Sequence, residues 1–447
     1  MNAFHAYDIR GIYPEQFNKD DCYKIGFFLP ELLKTKKILV GRDMRTSSPE
    51  IFESLCRGIT DAGADVCNAG LTTTPMIYYA TAKFGFDASV QITASHNPRE
   101  YNGMKISRAN ALPVGLDTGL GELKRMMETR PAVPVAQKGK IADFDFRAEY
   151  ISFQKQYLKD LSNLTIAVDC SNGMASMLVH DILGDTPTYI YDTLDGTFPH
   201  HEPNPLIEDN CRDLEALVRQ VKADVGVIYD GDADRVMFID ERGRFISPDL
   251  IIGLMAHYFL EERGLKGNVL QDIRTSKAVG EYVAKFGGVI NMWRVGRAYA
   301  APKLREIDGI YGGELAGHYY FRDFFYSDSG IMASLIVLGI VAGLKRQGRT
   351  ISEAIAAISR YANSGEINFK IEQKQQAMDA VRDYFTQTEQ ATASYDFDGY
   401  RVEFADWWFN IRPSNTEPYL RLLAEAKTEQ MLSEKLDKIK AIIGQFK

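Results

Sequence analysis

Three aspartates at alternate positions, Asp230, Asp232 and Asp234, follow the apolar run Asp224–Tyr229 and precede Val236–Asp240. Left unpaired, carboxylates this close repel strongly. A divalent cation between them removes the repulsion, and an all-oxygen donor set favours Mg2+ or a similar hard ion. With Glu241 at the twelfth position the spacing imitates an EF-hand loop. The sixth position, however, is Arg235 where Gly is needed, and strand-type runs flank the motif in place of helices. A strand followed by Asp-x-Asp also suits a metal-dependent phosphatase with Asp230 as nucleophile.

Three further clusters carry polar chemistry. Thr93-Ala-Ser-His-Asn-Pro98 follows the strand-type run Ala88–Ile92 and crowds Ser95, His96 and Asn97 into one loop. It is either a Ser/Asn turn closed by Pro98 or a loop presenting Ser95 as a nucleophile, given a base or metal to ease deprotonation. Gly312-Gly-Glu-Leu-Ala-Gly-His318 combines close backbone approach with an acceptor, Glu314, and a titratable donor, His318. That suits sugar hydroxyls, or else is a Gly-rich surface turn. Arg412-Pro-Ser-Asn-Thr-Glu-Pro418 packs a guanidinium, two hydroxyls, an amide and turn-type N–H groups into seven residues. It reads as a phosphate nest or as a capped turn.

The elements that must hold these loops follow one grammar: a short β-rich run, a polar turn, then a helical pattern. Lys37–Val40, Thr165–Val168 and Asn268–Leu270 all begin such units. The alternation predicts α/β units, with ligands at the C-terminal ends of the strands. Asp43-Met-Arg-Thr-Ser47 and Asp272-Ile-Arg-Thr-Ser276 share D-x-R-T-S after a strand, which points to an internal repeat. Pro131–Lys140 reads as a linker. Further boundaries fall near Arg242–Pro248 and Asn363–Gly365, after which the pattern becomes α+β. The expected domains are 1–140, 141–247, 248–362 and 363–447.

The 447 residues carry 52 Lys+Arg against 60 Asp+Glu, so a nucleic-acid-binding surface is not expected. The five cysteines include no C-x-x-C, so neither a disulfide framework nor a cysteine zinc site is expected. The N-terminus does not read as a signal peptide. Ile331–Leu344 is too short to span a bilayer and is read as a buried helix. The expectation is a cytoplasmic protein without a membrane or nucleic-acid partner, monomeric or homodimeric.

Taken in order, these four motifs, with Tyr7-Asp-Ile-Arg-Gly11 at the start, resemble the α-D-phosphohexomutase family from Tyr7 to about Arg421. The likeness is strongest to its bacterial phosphomannomutase/phosphoglucomutase branch. The resemblance implies three related α/β domains plus a C-terminal α+β domain around a central cleft. It implies an isomerase that interconverts hexose 1- and 6-phosphates through a phosphoserine and a hexose 1,6-bisphosphate. By the same likeness, Ser95 carries the phosphate and, with Asp230, Asp232 and Asp234, binds Mg2+. His96 supports the loop, Arg235 contacts the reacting phosphate, and Lys105 is the candidate proton acceptor. Glu314 and His318 meet the sugar. Arg412, Ser414, Asn415, Thr416 and Arg421, with Arg10 near the same cleft, bind the substrate and the phosphate not being transferred. The rival readings are the metal-dependent sugar phosphatase and a non-enzymatic sugar-phosphate-binding protein.

Two positions depart from the family pattern. Ala316 replaces a Ser in the sugar loop, which removes one hydroxyl contact. Arg297 stands where Gly-His is usual in Trp293-Arg-Val-Gly-Arg297, and a guanidinium cannot be an acid or base near neutral pH, although it can bind phosphate. Leu315 stands where the glucosamine-phosphate branch usually has Gln, so glucosamine phosphate is expected to be poor; loop likeness makes mannose the preferred sugar, with glucose also converted.

Overall fold

The computed structural model describes residues 3–414 and 419–446. Four sheets follow one another along the chain. The first three share a four-strand core, and that shared core is what positions the loops. In the first sheet, Lys37–Arg42 lies between the parallel strands Asp65–Leu71 and Ala88–Ile92, and Ala88–Ile92 pairs antiparallel with Tyr101–Arg108. In the second, Ile166–Asp169 lies between parallel Thr188–Ile190 and Val225–Tyr229, and the latter pairs antiparallel with Val236–Asp240. In the third, Gly267–Asp272 lies between parallel Gly288–Trp293 and Tyr311–Gly313, whose antiparallel partner is Tyr319–Phe321.

The repeat heralded by D-x-R-T-S is therefore structural, and it has a middle member. Each central strand ends in an aspartate turn whose carboxylate accepts the N–H two residues on: Asp43 from Arg45, Asp169 from Ser171, Asp272 from Arg274. Each parallel-to-antiparallel connection then supplies one chemical loop. These connections hold Ser95, Asp230–Arg235 and Glu314–His318 respectively.

The first sheet runs past residue 140. Ile141–Asp143 pairs parallel with Val66–Asn68, so these residues, assigned by sequence to the second domain, extend the first sheet. The Pro-rich linker before them is tied to the helix Ser48–Asp61, with Val135 N–H bonding Asp61 O and Gly139 N–H bonding Thr60 O. Its composition shows the lack of helix, not these backbone anchors.

The apolar segment expected as a buried helix is Gly330–Arg346, started by Ser329, whose Oγ accepts the Met332 N–H at 3.1 Å. It packs against the strands Val225–Tyr229 and Val236–Asp240, so it is covered beyond one face and needs no polar stripe. Ser334, which interrupts its apolar run, meets the Tyr229 hydroxyl at 2.6 Å. No single helix among the described residues is long and apolar enough to cross a membrane.

The C-terminal sheet orders Ala362–Asn363, Tyr419–Ala426, Trp407–Pro413, Tyr400–Glu403 and Ala393–Tyr395, with Ile367–Lys370 also on Tyr419–Ala426; every pairing is antiparallel. The helices Lys374–Thr388 and Glu429–Ile443 contribute to a separate core around Phe385, Trp407, Phe409 and Leu422. Each such side chain contributes about 1.5–3 kcal/mol on burial.

Candidate active site

The Ser95 loop and the aspartate loop touch across the border between the first two sheets. Ser95 is 3% exposed and has φ +52°, a left-handed conformation uncommon for a residue with a side chain. The strain is offset by specific bonds. Thr93 Oγ1 accepts the Ser95 N–H at 2.8 Å, and the Arg45 guanidinium donates to the carbonyls of Ser95, Asn97, Pro98 and Tyr101 at 2.6–3.0 Å. Gly231 permits the close approach, since a Cβ there would lie 2.4 Å from the Ser95 carbonyl oxygen. Ser95 Oγ donates to Asp230 Oδ2 at 2.8 Å and lies 3.2 Å from Arg235 Nη2. His96 Nδ1 faces both Ser95 Oγ, at 3.4 Å, and the Arg235 guanidinium.

Asp230, Asp232 and Asp234 bring carboxylate oxygens within 4.8 Å of one another, all buried. Burial, then Asp234 and Asp232, push the Asp230 carboxyl well above the ordinary carboxylate range. Oδ1 of Asp232 and Oδ1 of Asp234 are buried without a hydrogen-bond partner. An all-oxygen set with two such buried oxygens left over fits a hard divalent cation. The loop is held from both sides. Thr74 donates its N–H to Asp232 O and its hydroxyl to the Asp232 carboxylate, and Val236 N–H bonds Gly317 O in the sugar loop.

Lys105, on Tyr101–Arg108, places Nζ 2.6 Å from Asp232 and 2.5 Å from Asp234. Burial alone would lower its pKa, but the two carboxylates outweigh this and hold it well above the ordinary lysine value. In this arrangement Lys105 donates to both Asp232 and Asp234. It becomes an acceptor only after leaving Asp232 and Asp234. Burial and the nearby Arg10 push Arg235 down to about 9, which still leaves it a cation near neutral pH, suited to a phosphate beside it. Arg10 itself bonds Asp8 and, at 2.7 Å, Asn97 Oδ1 of the serine loop.

The third sheet contributes Glu314, whose carboxylate accepts from the Tyr320 hydroxyl at 2.5 Å and the Gly296 N–H at 3.0 Å. His318 Nδ1 lies 2.6 Å from Asp328 and 3.8 Å from Asp234. Burial would lower the His318 pKa; Asp234 and Asp328 outweigh it and raise it.

In the C-terminal sheet Arg412 and Arg421 are directly opposed on neighbouring strands. Like charges so placed are unfavourable unless an anion or carboxylates lie nearby; Glu366 lies 3.0 Å from Arg421, and Asp398 4.0 Å from Arg412. Ser414 donates its N–H to Tyr419 O. Asn415 and Thr416 lie outside the described residues. Arg274 joins this group: the Arg412 guanidinium is lowered by burial and then by Arg274. Sequence reasoning flagged Arg45 and Arg274 only as an echo and missed what they do. The echo itself was the available signal.

Ser95 on a buried aspartate, the buried carboxylate trio, Glu314 with His318, and the opposed Arg412 and Arg421 each come from a different one of the four sheets. The chain matches the families described as phosphoglucomutase/phosphomannomutase alpha/beta/alpha domains I, II and III over residues 1–130, 148–243 and 247–361. It matches the corresponding C-terminal domain over 366–442. It is 38% identical to the phosphomannomutase of Escherichia coli K12 over 97% of each chain. It is 33% identical to that of Methanocaldococcus jannaschii over 100% of this chain and 98% of the relative. A phosphoglucomutase/phosphomannomutase family protein from Burkholderia thailandensis superposes with TM-score 0.89 at 27% identity, covering 99% of this chain and 96% of that one. The chain belongs to the phosphoglucomutase/phosphomannomutase family. It is an isomerase, a phosphohexomutase.

Proposed function

We propose that the protein interconverts mannose 1-phosphate and mannose 6-phosphate, and the glucose pair less selectively, with Ser95 as the phosphoryl carrier. The observation that supports this is Ser95 Oγ, held by the buried carboxylate of Asp230 at 2.8 Å and flanked by Arg235 at 3.2 Å. The same contacts weigh against the phosphatase reading, because Asp230 Oδ2 is already occupied by Ser95 and Arg235.

In the proposed cycle the phosphoserine P–O bond breaks as a sugar hydroxyl oxygen bonds phosphorus, giving a hexose 1,6-bisphosphate. The hydroxyl proton passes to a base, for which Lys105 is the candidate once freed from Asp232 and Asp234, and the leaving Ser95 oxygen takes up a proton in turn. The bisphosphate turns over, and its other phosphoryl group returns to Ser95. Asp230, Asp232 and Asp234, with Ser95, would hold Mg2+, which would offset charge building on the phosphoryl oxygens. Arg235 orients the reacting phosphate. Arg412, Ser414, Asn415, Thr416 and Arg421, joined by Arg274, take the other. Glu314 reads hydroxyls that mannose and glucose share. The bisphosphate also serves as activator, and the protein works in the cytoplasm as a monomer or homodimer.

The test is one coupled assay with Mg2+ and matching bisphosphate. Ser95→Ala loses at least roughly 10³-fold, about 4 kcal/mol of transition-state stabilisation, and phosphopeptide mass spectrometry finds the label on Ser95. Near-native turnover of that variant would return the nucleophile to Asp230. A site making no hydrogen bond to the 2-hydroxyl discriminates weakly, so kcat/KM for mannose 1-phosphate and glucose 1-phosphate falls within about 100-fold. Glucosamine 6-phosphate is poor; its efficient turnover with neither hexose converted would overturn the sugar assignment alone.

A further inference from the structure

Arg297 opens the helix Arg297–Glu306 of the third domain, yet its side chain is committed to two domains. Nε donates to Asp328 at 3.0 Å. Nη2 donates to the Ala111 carbonyl of the first domain at 3.0 Å, and the guanidinium lies 3.6 Å from the centroid of the Tyr78 ring, also in the first domain. Asp328 has no exposed surface, and its other oxygen meets His318 Nδ1 at 2.6 Å. His318 in turn stands 3.8 Å from Asp234 of the metal loop. The path Arg297–Asp328–His318 thus runs from the first domain, through the third, to the second.

The turn that receives Arg297 explains the reach. Asn110 and Ala111 have φ +59° and +57°, and both of their carbonyls are taken by arginines of this helix. Arg305, two turns on, donates to Asn110 O at 3.1 Å and to Phe325 O at 3.0 Å. The helix therefore clasps the first domain with two guanidiniums, only one of which also holds a carboxylate that carries His318. A planar, multidentate donor stacked on an aromatic ring fixes a partner's orientation in a way an ammonium cannot.

We propose that Arg297 is a positioning residue for the mutase reaction: it fixes the Asp328 carboxylate against the first domain and thereby sets His318 at the sugar. This rests on the reading of His318 as a substrate contact. The departure from the usual Gly-His then gives this position the role of a brace.

The experiment is a double-mutant cycle read as kcat/KM for mannose 1-phosphate, with thermal midpoints alongside. Arg297→Met lowers kcat/KM by about tenfold or more, in line with the cost of small displacements at a reacting centre. Arg297→Lys recovers part of the loss, and Arg305→Met, which cuts the other half of the clasp, stays within about threefold of wild type. His318→Gln alone is impaired, and Arg297→Met/His318→Gln is no worse than His318→Gln within about twofold, the signature of residues acting as one unit. Additive losses, or equal losses from Arg297→Met and Arg305→Met, overturn the proposal. If Arg297→Met does not fold, the same cycle is run with Arg297→Lys. His318→Gln at wild-type kcat/KM removes His318 from the site, a failure of the site reading that overturns the proposal with it and is visible without the cycle.

Discussion

The loops Asp43–Ser47 and Asp272–Ser276 have the same D-x-R-T-S sequence, the same aspartate turn and the same place after a central strand, yet their arginines do opposite work. Arg45 reaches outward, within its own domain, to four carbonyls of the serine loop. Arg274 folds back on Asp272, at 2.7 Å, and it is the loop's own carbonyls that are clamped. The clamp comes from another domain: fully buried Arg401, 3.7 Å from the centroid of the Trp408 ring, donates to Ile273 O at 2.8 Å and Thr275 O at 2.6 Å. The final serines differ likewise. Ser47 accepts from Asn102 of its own domain, whereas Ser276 donates to Glu425 of the C-terminal domain. The carbonyls of the serine loop are held from within one domain, whereas those of the Asp272–Ser276 loop are held by docking of two. On the proposed function, phosphoryl transfer at Ser95 demands fixed geometry, whereas the far end accepts either phosphate and releases it.

Arg45→Met breaks the comparison hardest. It uncovers four loop carbonyls and leaves Asp43 without its buried partner, so stability falls by about 3–5 kcal/mol. The strained Ser95 backbone then relaxes, and kcat falls more than about 100-fold, read by turnover and by denaturant midpoint. Arg401→Met comes next. Loosened docking raises KM by about tenfold with kcat within about threefold, the pattern of lost binding common to ground and transition states. A kcat loss as large as that of Arg45→Met would erase the distinction between the loops.

The smallest effect is one of pH. Burial, then Asp249, raise the Glu425 carboxyl to about 7, against donors from Ser276, Trp408 and Asn363. Its folded pKa lies above the unfolded value, so the folded state binds the extra proton. The resulting stability is complete below the unfolded pKa and is lost as pH rises towards 7, by at most about 3 kcal/mol. Denaturant midpoints of wild type relative to Glu425→Gln therefore fall between pH 4.5 and 7 and level off above. A difference that rises over that window would contradict the assignment.

Loops that concentrate their chemistry within a few residues were legible. The structure brings Ser95, Asp230, Asp232, Asp234, Arg235 and Lys105 together, and the alternate spacing of the aspartates already placed three carboxylates in one loop. The five-residue echo pointed to the repeat because an aspartate turn after a strand is local. What could not be read were bonds to backbone carbonyls more than a hundred residues away. Arg401 on Ile273 and Arg297 on Ala111 leave no pattern at the receiving end. The pairing of Lys105 with Asp232 and Asp234 was equally hidden, since its partners lie 127 and 129 residues distant.

The left-handed, buried backbone at Ser95 bears on how a phosphate could reach it. A protein kinase works on a peptide laid out along its own groove, whereas this serine is 3% exposed in a loop whose carbonyls are tied to Arg45. If Ser95 is the phosphoryl carrier we propose, its phosphate arrives on a small molecule such as a sugar bisphosphate, and charging of the enzyme follows the supply of that metabolite in place of a signal.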